Sequence, residues 1–128
     1  MAIHCERVAF TTTGTDAAAT GTGYTAPIMG RILKVRLDYH TDAPATTDVA
    51  VAEYDAAAWE TIHTETDSKA DVTRYPRRAV EDNAEATVVY TTGFPIYEPY
   101  VVHSEVRVYV SGSNALINCV VAKIFWED

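Results

Sequence analysis

Positive charge is scarce in this chain. Its 128 residues carry 10 Lys and Arg against 18 Asp and Glu, a formal net charge of −8, and lysine occurs only at Lys34, Lys69 and Lys123. Affinity for nucleic acid comes mainly from clustered Lys and Arg that neutralise phosphates, so no direct nucleic-acid partner is expected. An acidic balance also serves solubility, which accounts for the sign without a ligand. Long apolar runs are missing as well: no stretch approaches the ~20 residues of a membrane-spanning helix, and no membrane partner is expected. The opening Met-Ala-Ile-His-Cys-Glu-Arg has charges where a secretory leader needs an apolar centre. The expectation is a chain made and kept in the cytoplasm unless it leaves inside a larger assembly.

Cysteine is equally sparse. Cys5 and Cys119 lie near opposite ends of the chain and fit neither a zinc nor a thioredoxin spacing. They read either as two small buried hydrophobes or, if the first and last strands are neighbours, as thiols lying close together.

Motifs of catalysis are missing too. Ser68, Ser104, Ser111 and Ser113 include no Gly-x-Ser-x-Gly, the strained turn on which many serine nucleophiles sit. His4 and Cys5 are adjacent, and adjacent residues on a strand face opposite ways, which argues against a thiol nucleophile. The histidines show no His-x-x-x-His spacing. Gly14, Gly21 and Gly23 lie in a Thr/Ala-rich segment with no following Lys or amphipathic helix to cradle a phosphate. Asp38, His40 and Asp42 could hold a divalent cation weakly, although a solvated strand face has the same composition. The residues therefore give no catalytic, cofactor-binding or metal-binding set, and a non-enzymatic protein is expected.

What is abundant is Val, Thr, Ala and Tyr, a composition that favours strands. The organising stretch is His103 to Trp126. Val106, Val108 and Val110 alternate with Glu105, Arg107 and Tyr109, a half-buried strand. Ser111-Gly112-Ser113-Asn114 tolerates positive φ and predicts a tight hairpin. The following run, Ala115 to Trp126, places apolar residues on both faces and reads as a central strand. Residues 31–40 alternate equally clearly, with Leu33, Val35, Leu37 and Tyr39 on the core face. Further strands are expected at 3–12, where a bulge between Cys5 and Val8 would explain a switch in apolar parity. Others are expected at 47–54, at 59–64 with Trp59 capping an end of the core, at 86–92, and at 94–102, the last kept irregular or at an edge by Pro95 and Pro99. Residues 55–58 read as one helical turn or a loop.

The prediction is a single all-β domain over 1–128: an antiparallel two-sheet β-sandwich, jelly-roll-like, of about eight strands with long loops. Two segments stand apart. Residues 11–25, rich in Thr, Ala and Gly, read as a flexible loop or arm. Residues 65–85, charged at both signs and broken by Pro76, read as a long surface excursion, and long loops in small domains often carry function.

The basic cluster of the chain, Arg74, Arg77 and Arg78 around Tyr75-Pro76, lies in that excursion. It reads either as pairing with local carboxylates such as Glu81 and Asp82 or as a docking surface, because Arg and Tyr are enriched at interface hot spots. Tyr97 and Tyr100, with Tyr109, would extend it. The candidate partner interface is therefore Arg74, Tyr75, Arg77, Arg78, Tyr97 and Tyr100.

Residues 30–40, 43–51, 75–78 and 106–114 together give the chain a general pattern that resembles small structural proteins of tailed-phage virions, in particular head decoration (cement) proteins. The resemblance implies a protein without catalytic residues that binds the outer surface of an assembled capsid. It implies the major capsid protein and copies of itself as partners, often as a trimer at local symmetry axes, and a location on the virion surface. The alternative expectation is a carbohydrate- or receptor-binding β-sandwich module of a virion tail or surface.

Overall fold

The computed structural model describes residues 2–55, 58–81, 83–91 and 93–128, and among these there is no helix. In chain order the strands are β1 (Ile3–Ala9), β2 (Ala19–Tyr24), β3 (Gly30–Tyr39), β4 (Asp48–Asp55), β5 (Ala58–Glu65), β6 (Val72–Arg74), β7 (Arg77–Ala79), β8 (Val89–Thr91), β9 (Phe94–Pro95), β10 (Tyr97–Pro99), β11 (Val101–Val102), β12 (Val106–Ser113) and β13 (Val120–Glu127). The protein is all-β with antiparallel sheets. A five-stranded sheet runs β1-β13-β3-β11, with β6 also on β3, and a four-stranded sheet runs β2-β12-β4-β5. Two small ribbons, β7-β10 and β8-β9, complete the set. The number of strands exceeds the expected eight because the 72–102 region breaks into short pieces, two of which contain a proline that cannot donate to a ladder.

Both large sheets feed one core. Val8, Ile32, Val35, Leu37 and Ile124 come from the first, and Val49, Val51, Val106, Val108 and Val110 from the second. The alternation of residues 106–110 puts all three valines at zero exposure, as their spacing predicts. The chain moves between the two sheets repeatedly: β1, β3, β6, β11 and β13 belong to one and β2, β4, β5 and β12 to the other.

Several expectations need correction. The segment 106–126 is not a hairpin: β12 and β13 lie in different sheets, and residues 114–119 carry the chain across. Gly112, at φ +63, does use left-handed backbone, but a Cβ there would come 2.5 Å from the Thr46 carbonyl oxygen. Thr46 Oγ1 donates to the Gly112 carbonyl at 2.7 Å, so this turn chemistry clamps β12 to the loop before β4. The strand begins only at Val120, and Ile117 is exposed. β13 is central, but its outer residues Val121, Lys123 and Phe125 are half-buried. They are covered by long side chains, with the Lys34 Nζ 4.7 Å from the Phe125 ring.

The bulge is displaced as well. β1 pairs with β13 in unbroken register from Ile3–Glu127 to Ala9–Val121; Ile3 and Cys5 point outward, and His4 faces in and stacks on Trp126 at 4.2 Å. The irregularity lies between β13 and β3, at Phe125/Trp126. There Leu33 becomes the extra residue, so Ile32 takes the buried position expected of Leu33.

Segment 11–25 is folded, contrary to the flexible-arm expectation. Thr12 is buried and its Oγ1 donates to the Asn114 carbonyl at 2.6 Å while accepting from the Leu116 N–H. Residues 19–24 form β2 against β12. The anchor is borrowed: a Cβ on Gly21 would lie 2.8 Å from the Phe10 ring, and one on Gly23 2.5 Å from Val8 Cγ1. The missing side chains of β2 are what let Val8 and Phe10 lie against it. The 65–85 excursion is likewise partly ordered into β6 and β7. Trp59 does not cap the core; it lies on the outer side of the four-stranded sheet, paired across from Tyr54. Ala56 and Ala57, in the expected 55–58 turn, fall outside the described residues.

Candidate interaction surface

The structure does not gather the predicted arginines into a free basic patch. Arg74, at the end of β6, binds Glu65 through its Nε, with Nη2 at 3.5 Å from the second carboxylate oxygen. Glu65 also meets His63 Nε2 at 2.9 Å. The Arg74 hydrogen bond holds the Glu65 carboxyl below its ordinary value, outweighing the burial that pushes it up, with His63 adding in the same downward direction. Arg77 Nη1 donates to the carbonyls of Pro76 at 2.8 Å and Leu33 at 3.4 Å, tying β7 to β3. Arg78 lies 3.7 Å from Glu81 and 3.8 Å from Glu98. Pairing with local carboxylates is therefore the arrangement for Arg74 and Arg78; Asp82, the other expected partner, lies outside the described residues.

The tyrosines separate too. Tyr75 and Tyr97 are exposed, Tyr97 on the β7-β10 ribbon opposite Ala79. Tyr100 is half-buried and packs against the core, while its carbonyl accepts from the Ile32 N–H. Tyr109 belongs to β12, in the four-stranded sheet, and does not extend this surface. Of the six candidate residues, Tyr75, Arg77, Arg78 and Tyr97 share the ribbon region, Arg74 is held at its edge by Glu65, and Tyr100 is a structural residue.

What the sequence reading missed is the apolar character of this region. Of eleven large apolar side chains exposed among the described residues, six lie between Tyr75 and Val101: Tyr75, Val89, Phe94, Ile96, Tyr97 and Val101. The protein's own core does not reach them, and clustered exposed apolar residues mark interaction sites more often than scattered ones do. Short backbone links join the segments of this region, Val80 N–H to Ile96 O at 2.8 Å and Val88 N–H to Val80 O at 2.8 Å. The excursion returns to the scaffold at β11 on β3 and at His103, whose N–H donates to the buried Glu53 carboxylate at 2.6 Å.

A second surface, also missed, is the outer side of the four-stranded sheet. Trp59 has Tyr54 at 5.1 Å edge-on, Tyr24 at 5.8 Å, and the Arg107 guanidinium 4.5 Å from its ring centre. Alternation put Arg107 and Tyr109 on one outward face, but only the register between four strands brings residues 24, 54, 59, 107 and 109 together.

The residues weighed for chemistry stay apart. Among the described residues no group of three His, Cys, Asp or Glu converges as a metal site. Asp38 turns to Arg36 at 2.8 Å and Lys123 at 3.8 Å, leaving His40 with Asp42. Ser113 is buried, its Oγ 2.9 Å from Cys119 Sγ. Cys5 is exposed and pairs at Phe125, six residues along from Cys119. At ~3.3 Å per residue that is roughly 20 Å, so the first and last strands are neighbours while the thiols are not. No protein-family model matches the chain, and no curated protein is significantly similar to it. The functional reading therefore rests on the surfaces.

Proposed function

We propose that this chain is a non-enzymatic structural protein of a tailed-phage virion, a capsid decoration protein. It docks on the assembled shell through the 75–101 excursion, the end of the 65–85 excursion together with the short strands that follow it. It sits on the capsid surface, with the major capsid protein and further copies of itself, as a trimer, for partners. Part of the proposal is that the two large sheets stack as a jelly-roll sandwich. The shared core and the repeated crossing of the chain between the sheets favour that arrangement.

The observation that carries the reading is the concentration of exposed apolar side chains between residues 75 and 101. Burying one such side chain is worth about 1.5–3 kcal/mol, so a handful per copy makes a modest contact. A trimer repeating it gains avidity without new chemistry. The carboxylate-paired Arg74 and Arg78 fit docking on a protein surface, because paired guanidinium groups meet a partner without bringing unpaired charge into the interface.

The test is compositional. Quantitative mass spectrometry of purified virions is expected to find the chain in a fixed ratio to the major capsid protein, and light scattering of the isolated protein to give a trimer. Virions devoid of the chain would overturn the reading.

A further inference from the structure

Separately from the excursion, we infer that the outer face of the four-stranded sheet is a binding site for a neutral glycan. The register sets two rows across all four strands, Tyr24–Arg107–Ala52–Thr61 and Thr22–Tyr109–Ala50–Thr64, with Tyr54 beside Trp59. Ala50 and Ala52 carry only methyl groups; Ala52 is buried under its taller neighbours and Ala50 is half-buried, so the face dips at Ala50. One end is an aromatic platform. Tyr24 is 53% exposed and Tyr54 39%, and both rest against Trp59. Arg107 lies over Trp59 and 5.7 Å from Tyr109. Its Nε is shielded and has no hydrogen-bond acceptor among the described residues, so the ring faces are the contacts of that side of the guanidinium.

The other end is an open pocket of about 110 Å³ lined by Asp48, Thr64, Thr66, Tyr109 and Ser111, among others. Tyr109 belongs to both ends. A sugar chain offers flat C–H faces that stack on aromatic rings and a rim of hydroxyls that need donors and acceptors. A platform continuing into a mainly apolar pocket, edged by the hydroxyls of Thr64, Thr66 and Ser111 and the carboxylates of Asp48 and Glu65, presents those features in that order. Charge excludes the neighbouring ligand classes. Arg107 is already shared between two rings, Asp48 lines the pocket beside a Glu65 that Arg74 pairs, and the chain carries −8 overall. Phosphate, sulfate or sialic acid would meet repulsion there.

The test is a glycan array carrying neutral, sialylated and sulfated oligosaccharides, followed by calorimetric titration with maltohexaose, cellohexaose and chitohexaose. Binding to at least one neutral glycan is expected, weakened about ten-fold or more by Trp59→Ala and by Tyr24→Ala and unchanged by Tyr97→Ala. Tyr24 is the more exposed of the two, so its variant keeps the test open if Trp59→Ala does not fold. Absence of neutral-glycan binding, preference for anionic glycans, or affinity unaffected by a folded Tyr24→Ala variant would overturn the inference. So would loss of capsid association in place of glycan binding on Tyr24→Ala, which would make this face a protein contact. Because Tyr97 and Tyr24 lie on different surfaces, failure here leaves the decoration reading standing.

Discussion

The Phe10 ring lies so close to the backbone of Gly21 that a Cβ on that glycine would come within 2.8 Å of it. Val8 stands in the same relation to Gly23. A strand made of Ala, Thr and Gly is thereby pinned by two side chains from the neighbouring segment.

This pinning predicts a coupled effect. Gly21→Ala gains about 0.4–1 kcal/mol from a less flexible unfolded chain but forces overpacking worth about 1–3 kcal/mol, so net destabilisation is expected in urea unfolding. In a Phe10→Ala background the penalty should largely vanish, because the atom in the way is then gone. Gly30→Ala should show no such rescue: its Cβ would lie 2.1 Å from the Glu127 carbonyl oxygen, which no side-chain deletion removes. Additive Phe10 and Gly21 effects would contradict the packing described.

The same contacts show what was legible in the sequence. Alternation identified strands at 31–40 and 105–110, with Val35, Leu37, Tyr39, Val106, Val108 and Val110 inside, because period two is a local property. It placed Leu33 inside instead of Ile32 because a bulge depends on the partner strand. It took 11–25 for an arm because the residues that anchor β2, Val8 and Phe10, lie outside that segment. The Ser-Gly-Ser-Asn cluster reads as a hairpin turn, but residues 111–113 continue β12 through a register shift, and which sheet each strand joins is settled by core packing of distant residues. The arginines and tyrosines of 74–100 were visible by type; their pairing with Glu65, Glu81 and Glu98, and the burial of Tyr100, were not. The Trp59 platform was invisible for the same reason, since no two of its strands are legibly in register from sequence.

Acid should weaken the fold partly through Glu65. Its folded-state carboxyl titrates below the ordinary value of 4.5 because Arg74 donates to it. The contribution is therefore fully present above the unfolded value and is lost as pH falls through the folded one. Asp128 behaves alike, held low first by the Ala2 N–H and then by His4. Glu65→Gln is expected to make the fall in urea midpoint between about pH 5 and 3 shallower; an unchanged slope would remove the Arg74 link from the account.

The thiols should differ sharply. Cys5 is exposed, while Cys119 is fully buried beside Ser113. Ellman titration of the native protein is expected to release one equivalent quickly and the second only in denaturant. Two fast equivalents, or none, would contradict the placement of these residues.

The central claim is that the 75–101 excursion is the docking surface, and co-sedimentation with empty shells assembled from the major capsid protein of the same phage tests it most directly. Tyr75→Ser and Tyr97→Ser alter exposed side chains and should change stability by no more than about 0.5 kcal/mol. The account predicts that wild-type protein pellets with the shells at saturation, that the double variant stays in the supernatant, and that Ile117→Ser, equally exposed but outside the excursion, pellets like wild type. Equal pelleting of all three, or failure of the wild-type protein to pellet, would contradict it.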